Sequence, residues 1–338
     1  MIFCVGEILV DIFRDGGKEI IKPGGAPYNV ASNALLYTKD VAFIGAVGND
    51  SNGELLVNNA NSRDFKYLKI NKIDNRYTSR AIVTLTNGER SFRFERDNGA
   101  DYLLSLDDID FSLIKSGDIV HIGSLMLSYK EGRMFYKQLI NKIKKMNGVR
   151  VSFDINYRDD IFLNQDDAKR IYIEALKQAD ILKFSIDELL FLSDKTNIKE
   201  ALDSLVSKSQ VVVVTLGEDG SIFYYQNKLI KVDSIKVKPI DTTGAGDAFY
   251  AYFLSAINNG LDLTNEEEIK KQLYTANVVG ALTTKKLGAI DTAPSLETIK
   301  LFRWFFTTKM NMVVFCQMTT IKWFYKIKKD KQCLSNLI

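Results

Sequence analysis

The stretch IDTTGAGDAFYAYFLSAINNG, residues 240–260, places Gly244 and Gly246 on either side of Ala245. Asp247 follows directly, and an apolar run of helical period begins. Three small residues bury little, but they let a backbone come very close to a ligand. At a helix start the free N–H groups and the positive end of the dipole point outward, so this turn is a nest for an anion. Such a nest suits a phosphate, and above all the extra negative charge of a phosphoryl group in flight. An aspartate in a first turn also simply starts helices well. That accounts for Asp247 and leaves Asp241-Thr242-Thr243 unexplained. The two common nucleotide motifs are absent. A dinucleotide fingerprint would need glycine where Phe249 stands, and no G-x-x-x-x-G-K-[ST] occurs.

KPGGAPYNVASNALL, residues 22–36, is a second glycine-rich turn. Pro27 fits a first helical turn. A tight turn and a helix start account for Gly24 and Gly25 by themselves. Asn29, inside an otherwise apolar helix, needs a partner that a polyhydroxy ligand could supply. The single histidine, His121, ends the apolar run DIVHIG, the place for a partly buried structural residue. A general base in this chain is therefore expected to be a carboxylate. Cys4, Cys316 and Cys333 are far apart and form no C-x-x-C. They fit free thiols in a reducing cytosol, not a zinc site or a disulfide framework.

These residues need a scaffold. The chain has 338 residues, 46% of them hydrophobic, and a formal net charge of +3. That suits one large α/β domain or two ordinary ones. β-Rich runs appear at IFCVGEILV (2–10), VAFIGAV (41–47), DIVHI (118–122), VRVSF (149–153), DILKF (180–184) and VVVVTL (211–216). Helical periods lie between several of them, at 28–37, 136–146, 166–179 and 198–206. Near-continuous apolar strands alternating with amphipathic helices predict an α/β fold with a mostly parallel sheet covered by helices on both faces. VDSIKVKPI (232–240) alternates as a half-buried strand does, which makes 244–246 a strand-to-helix turn. SRAIVTLTNGERSFRFER (79–96) alternates around Asn87-Gly88, a hairpin signal. With residues 13–25 it suggests a small β lid. No stretch approaches the ~20 uncharged apolar residues that span a bilayer.

GGAPYNVA and DTTGAGD together resemble the two signatures of the PfkB (ribokinase-like) sugar kinases, a likeness that covers roughly residues 1–300. The resemblance implies that Asp247 takes the proton from a sugar hydroxyl while the amides of Gly244, Ala245 and Gly246 hold the transferring phosphoryl group. It places Asp11, Gly24, Gly25 and Asn29 at the sugar. FDINYRDDIF (153–162) is similar to the family's D-x-N-x-R element, which puts Asp154, Asn156 and Arg158 near the sugar or the phosphoryl group. KFSIDE (183–188) is similar to its N-x-x-E motif, with Ser185 where asparagine is usual and Glu188 handling magnesium (Mg2+) indirectly. VTLGEDGS (214–221) looks like the nucleotide loop, with Thr215, Gly217 and Gly220. Asn277 would face the adenine base and Gly288 the nucleotide or a potassium site. Asp241 and Thr243 resemble monovalent-cation (K+) ligands. The implied cofactors are ATP and Mg2+, with K+ an open question. The implied fold is ribokinase-like over residues 1–302, with lid segments at about 12–23 and 79–98.

Ala26 stands where ribokinases carry lysine, and HIGSLMLS (121–128) and SFRFERDNGAD (91–101) look fructokinase-like. Fructose is therefore the expected substrate, with 2-keto-3-deoxygluconate as the alternative. Arg80, Arg90, Arg93 and Arg96, in or near the lid, keep a sugar phosphate open, although a solvated strand face explains them equally well. Two readings from other classes are weaker. An NAD-dependent oxidoreductase lacks its fingerprint, and a silent sugar-binding protein would have no need of Asp247. A cytoplasmic enzyme, a homodimer through the lid, and no nucleic-acid or membrane partner complete the expectation. Residues 303–338 carry seven Lys or Arg and one acidic residue, together with both tryptophans. They look foreign to the rest and are expected to be an extension outside the enzyme core.

Overall fold

The run VVVVT shows why a sheet forms first. β-Branched side chains are stiff at χ1 and pack well on a pleated surface, and apolar residues on both faces demand cover on both sides. The computed structural model describes residues 1–15, 18–86 and 89–307. In chain order the strands are β1 (Ile2–Val5), β2 (Leu9–Asp15), β3 (Lys18–Gly24), β4 (Val41–Gly48), β5 (Tyr67–Ile73), β6 (Arg80–Thr86) and β7 (Glu89–Glu95). They continue as β8 (Ile119–Ile122), β9 (Arg150–Asp154), β10 (Ile181–Ser185), β11 (Val211–Thr215), β12 (Ser221–Tyr225) and β13 (Lys228–Val232). The α-helices are α1 (Ala26–Ala34), α2 (Ser51–Asn61), α3 (Lys130–Ile143), α4 (Gln165–Leu176), α5 (Ile186–Ser193), α6 (Ile198–Leu205), α7 (Ala245–Asn258), α8 (Glu266–Thr283) and α9 (Leu296–Thr307).

Nine strands form one sheet in the order β13-β12-β11-β10-β9-β8-β1-β4-β5. From β11 to β5 all pairings are parallel, and β12 and β13 close that edge antiparallel. One face packs against α3 to α6 through residues such as Leu139, Tyr172, Leu189 and Leu202. The other packs against α1, α2, α7 and α8 through Tyr28, Leu56, Phe253 and Leu273. This is the α/β architecture the alternation predicts. A separate sheet, β3-β2-β6-β7, is the lid. Its β2 and β6 run parallel, with antiparallel partners outside them.

Three expectations change in detail. The run 2–10 is two strands: β1 belongs to the large sheet and β2 to the lid, with the chain crossing near Gly6 beside Gly123 and Pro27. Residues 233–240 are not a strand. Their alternation finds no neighbour, because β13 already forms the sheet edge, and Pro239 would lack a ladder donor. The nest therefore follows an irregular loop, held by the N–H groups of Ile240 and Asp241 donating to Thr284 O at 2.7 and 3.0 Å. Finally, α9 runs across residue 302 to Thr307, and the rest of the expected extension, 308–338, lies outside the described residues. So does the Asn87-Gly88 turn.

Candidate active site

The first turn of α7 is the centre of the site. Gly244 is its N-cap with φ 74°, and a Cβ there would run into Ala289, so only glycine fits. Asp247 lies in that first turn, and its Oδ2 accepts from Asn29 Nδ2 at 2.8 Å. Burial, then the nearby Asp154 carboxylate, pushes Asp247 up to about 6. Asn29, Lys183 and Arg158 pull the other way. A carboxyl poised near neutrality beside amides at a helix start can accept a proton while an anion is held next to it.

The sugar-side residues converge on this point. Asn29 reaches Asp247 because α1 packs on α7 with its polar side chain inward, so the amide's partner is Asp247 where a ligand was expected. Its Oδ1 is buried with no partner among the described residues. Asp11 on β2 lies against Gly24, whose Cα leaves no room for a side chain over the Asp11 carboxylate. Burial, then Asp247 and Asp241, pushes Asp11 up to about 7. Gly25 is the N-cap of α1, with φ 104°.

A polar pair lies beneath the turn. Parallel pairing sets Lys183 of β10 directly beside Asp154 of β9, and Lys183 Nζ meets both Asp154 oxygens at 2.8 and 2.9 Å. The same Nζ stands 3.4 Å from where a Cβ on Gly246 would be. Sequence reasoning missed Lys183, although a charged residue inside the apolar run DILKF was the signal. Beyond β9, Asn156 takes φ 40°, and Arg158 donates to its neighbour Tyr157 O at 3.0 Å. Ser185 caps α5, its Oγ accepting from Glu188 N at 3.2 Å. The Glu188 carboxylate accepts from Ser185 N at 2.6 Å and from Tyr157 N at 2.8 Å. With both oxygens on backbone amides, Glu188 fits a partner that reaches a metal through water better than a direct ligand.

The nucleotide-side expectations fall on the neighbouring strand ends. Thr215 ends β11, its Oγ1 donating to Phe184 O at 3.3 Å. Gly217 faces open space, whereas Gly220 lies tight against Val232 and Asp233. Asn277 Nδ2 donates to Val232 O at 3.0 Å and to Asp233 O at 3.3 Å, tying α8 to the end of β13. Asp241 Oδ1 accepts from Thr243 N at 2.9 Å, and its Oδ2 from Gly288 N at 2.8 Å. Thr243 Oγ1 is buried without a partner among the described residues, which fits a monovalent-cation ligand. Asn33, also missed from the sequence, anchors this loop through Nδ2 to Ala289 O at 3.1 Å.

His121 is fully buried, with Nδ1 3.1 Å from Ser152 Oγ. Burial, then Lys183, drives it down to about 3, so it stays neutral and structural. The lid arginines give a sugar phosphate little support. Arg96 is buried against Asp101, and Arg80 and Arg93 both pair with Glu95. The Arg90 side chain lies outside the described set. No group of three or more potential metal ligands occurs among the described residues. No described helix is long and apolar enough to cross a membrane.

The model of the pfkB family carbohydrate kinase matches residues 2–296. A probable chloroplastic fructokinase-6 of Arabidopsis thaliana is 36% identical, with 88% of this chain and 81% of that protein covered. A fructokinase of Vibrio alginolyticus is 32% identical, with 89% of this chain and 98% of that protein covered. A crystal structure of fructokinase from Vibrio cholerae O395, bound to fructose, ADP and calcium ion, superposes with a TM-score of 0.82 at 33% identity. That superposition covers 89% of this chain and 98% of the other.

Proposed function

The chain belongs to the pfkB family of carbohydrate kinases, and from that premise we propose that it transfers the γ-phosphoryl group of MgATP to fructose, giving fructose 6-phosphate. The observation that carries the reaction is the first turn of α7, where Asp247, raised to about 6 by burial first, adjoins the Gly244–Gly246 amides. Asp247 accepts the proton of the attacking hydroxyl, oriented by the amide of Asn29. The amides of the nest meet the charge that builds on the phosphoryl group, and positioning supplies most of the rest. Asp11, Gly24, Gly25 and Asn29 form the sugar side, with Asn156 and Arg158 at its edge. Ser185, Thr215, Gly217, Gly220, Asn277 and Gly288 form the nucleotide side. Glu188 would hold Mg2+ through water, and Mg2+ supplies charge neutralisation on the phosphates. Asp241 and Thr243 would hold K+, with the unpartnered Thr243 Oγ1 as the supporting observation. The lid excludes water and limits wasteful hydrolysis. Two copies pair through that lid.

Fructose is favoured because the relatives named fructokinase are 32–36% identical over nearly the whole chain. The test is coupled ADP release over a panel of sugars, with and without potassium. Fructose should give the highest kcat/KM. If ribose, a nucleoside or 2-keto-3-deoxygluconate wins by tenfold or more, the substrate assignment is wrong.

A further inference from the structure

The sheet face beneath α7 carries a buried cation that the reaction as described above does not use. Alternation along the strands sends Phe153, Leu182 and Phe184 into one core, so Asp154 and Lys183 project toward the other, under the first turn of α7. Lys183 is 6% exposed and is clamped on both oxygens of Asp154. Its ammonium lies against Gly246, the residue directly before Asp247.

Acids crowd this part of the site. Asp154 from β9 acts on Asp247, and Asp247 acts on Asp11 of β2, as does Asp241 from the loop before the nest; Glu188 from α5 acts on Lys183. Asn29 from α1 donates one hydrogen bond. Arg158 acts from a partly exposed loop. His121 from β8 is neutral and adds no charge. Lys183 is the cation that strand register holds in place among these groups.

We propose that Lys183 is a positioning residue for phosphoryl transfer, one that cancels the charge of Asp154 beneath Gly246 and so keeps Asp247 ionised as the base; this rests on the kinase reading given above. Burial alone would push the Lys183 ammonium down, but Asp154 and then Glu188 outweigh it, and its pKa is raised. It therefore stays charged throughout the working range. An opposite charge within ~4–6 Å moves a carboxyl by roughly 1–3 pH units. Without Lys183 the Asp154 charge would act on Asp247 undiminished, and the base would be protonated over much of the neutral range.

The experiment is the pH profile of kcat for the full chain. In Lys183→Met the acid limb should move up by about one unit or more, a tenfold or greater loss below it. Activity should return at alkaline pH, with the KM for ATP within about threefold of wild type, the small change expected of a residue that acts on the base. Lys183→Arg should hold the limb near its wild-type position. Lys183→Met takes from the buried Asp154 its ion-pair partner, so Lys183→Met with Asp154→Asn is the second variant, and its limb should return toward wild type. The titration of Asp247, followed by carbon NMR of aspartate-labelled protein, reads the same shift without turnover. An unmoved limb and an unmoved Asp247 titration in Lys183→Met would overturn the proposal. So would arginine that behaves like methionine. A wild-type protein inactive on every sugar would overturn the kinase reading alone, because the NMR titration still decides the role of Lys183.

Discussion

At the residue scale, Asp247 and Asp11 are the carboxyls to which the proposed reaction gives the chemistry, and their protonation would set its pH range. Burial first, then neighbouring carboxylates, pushes Asp247 up to about 6 and Asp11 up to about 7. A protonated Asp247 cannot accept the hydroxyl proton, so kcat should fall as pH drops through about 6. Asp247→Asn should lose roughly 10²–10⁴ in kcat, the usual worth of a general base. Isothermal titration should find its binding of ATP and sugar within about tenfold of wild type, since the nest and the sugar contacts survive. Turnover near wild type would mean that another group takes the proton. The same substitution carries a stability signature. A carboxyl whose folded pKa lies above the ~4 of an unfolded chain contributes stability fully below ~4. That contribution is lost as pH rises through the folded value. Asp247→Asn should therefore raise Tm at about pH 8 and leave it unchanged at about pH 4, by scanning calorimetry.

At the element scale, the lid is rooted in the body by one buried ion pair. The root is Arg96, just beyond β7, whose guanidinium pairs with Asp101 and also donates to Leu125 O at 3.0 Å and Ser128 Oγ at 2.7 Å. It lies over the rings of Tyr102 and Tyr129 at 5.8 and 5.3 Å. Ser79, just before β6, donates to the same Asp101, so both strands of the lid hairpin end on one buried carboxylate. Close to that root, Phe94 N of β7 donates to Asp160 Oδ2 at 2.9 Å and ties the strand to the body. Arg96 and Asp101 are 3% and 0% exposed, so removing one partner leaves a charge with no water to turn to. Arg96→Met should cost about 3–5 kcal/mol, read as a lower urea midpoint. A loss under ~1 kcal/mol would mean that water or another group takes over the pairing.

For the whole molecule, two apolar cores flank one sheet, and the lid projects from it with an edge left uncovered. β3 is an edge strand of the lid, and Ile20 and Ile21 on it are 46% and 40% exposed. An edge that offers unpaired backbone groups and apolar side chains invites a second copy. The lid-to-lid dimer we propose should appear in sedimentation equilibrium at micromolar protein. Ile20→Lys with Ile21→Lys should shift it to monomer, and a wild-type monomer at that concentration would exclude the dimer.

The sequence by itself determined the α/β alternation, the lid hairpin and the two glycine-rich turns. Each of these is a local matter. A strand's period, a hairpin's alternation and a helix start are set by residues within a few positions of one another, and the Gly244–Gly246 nest needs only its own backbone. The environment of Asp247 is not local. Asn29 meets it across 218 positions, and Lys183 reaches Gly246 only because β9 and β10 pair in one particular register. A shift of one residue would have sent Lys183 into the opposite core. The alternation at 232–240 misled for the same reason: period describes one strand, while a sheet needs a neighbour to pair with, and the antiparallel strands at that edge had already closed it. Spacing in the chain placed Asp247 and the nest; the charges that bear on the ionisation of Asp247 were brought together by tertiary packing alone.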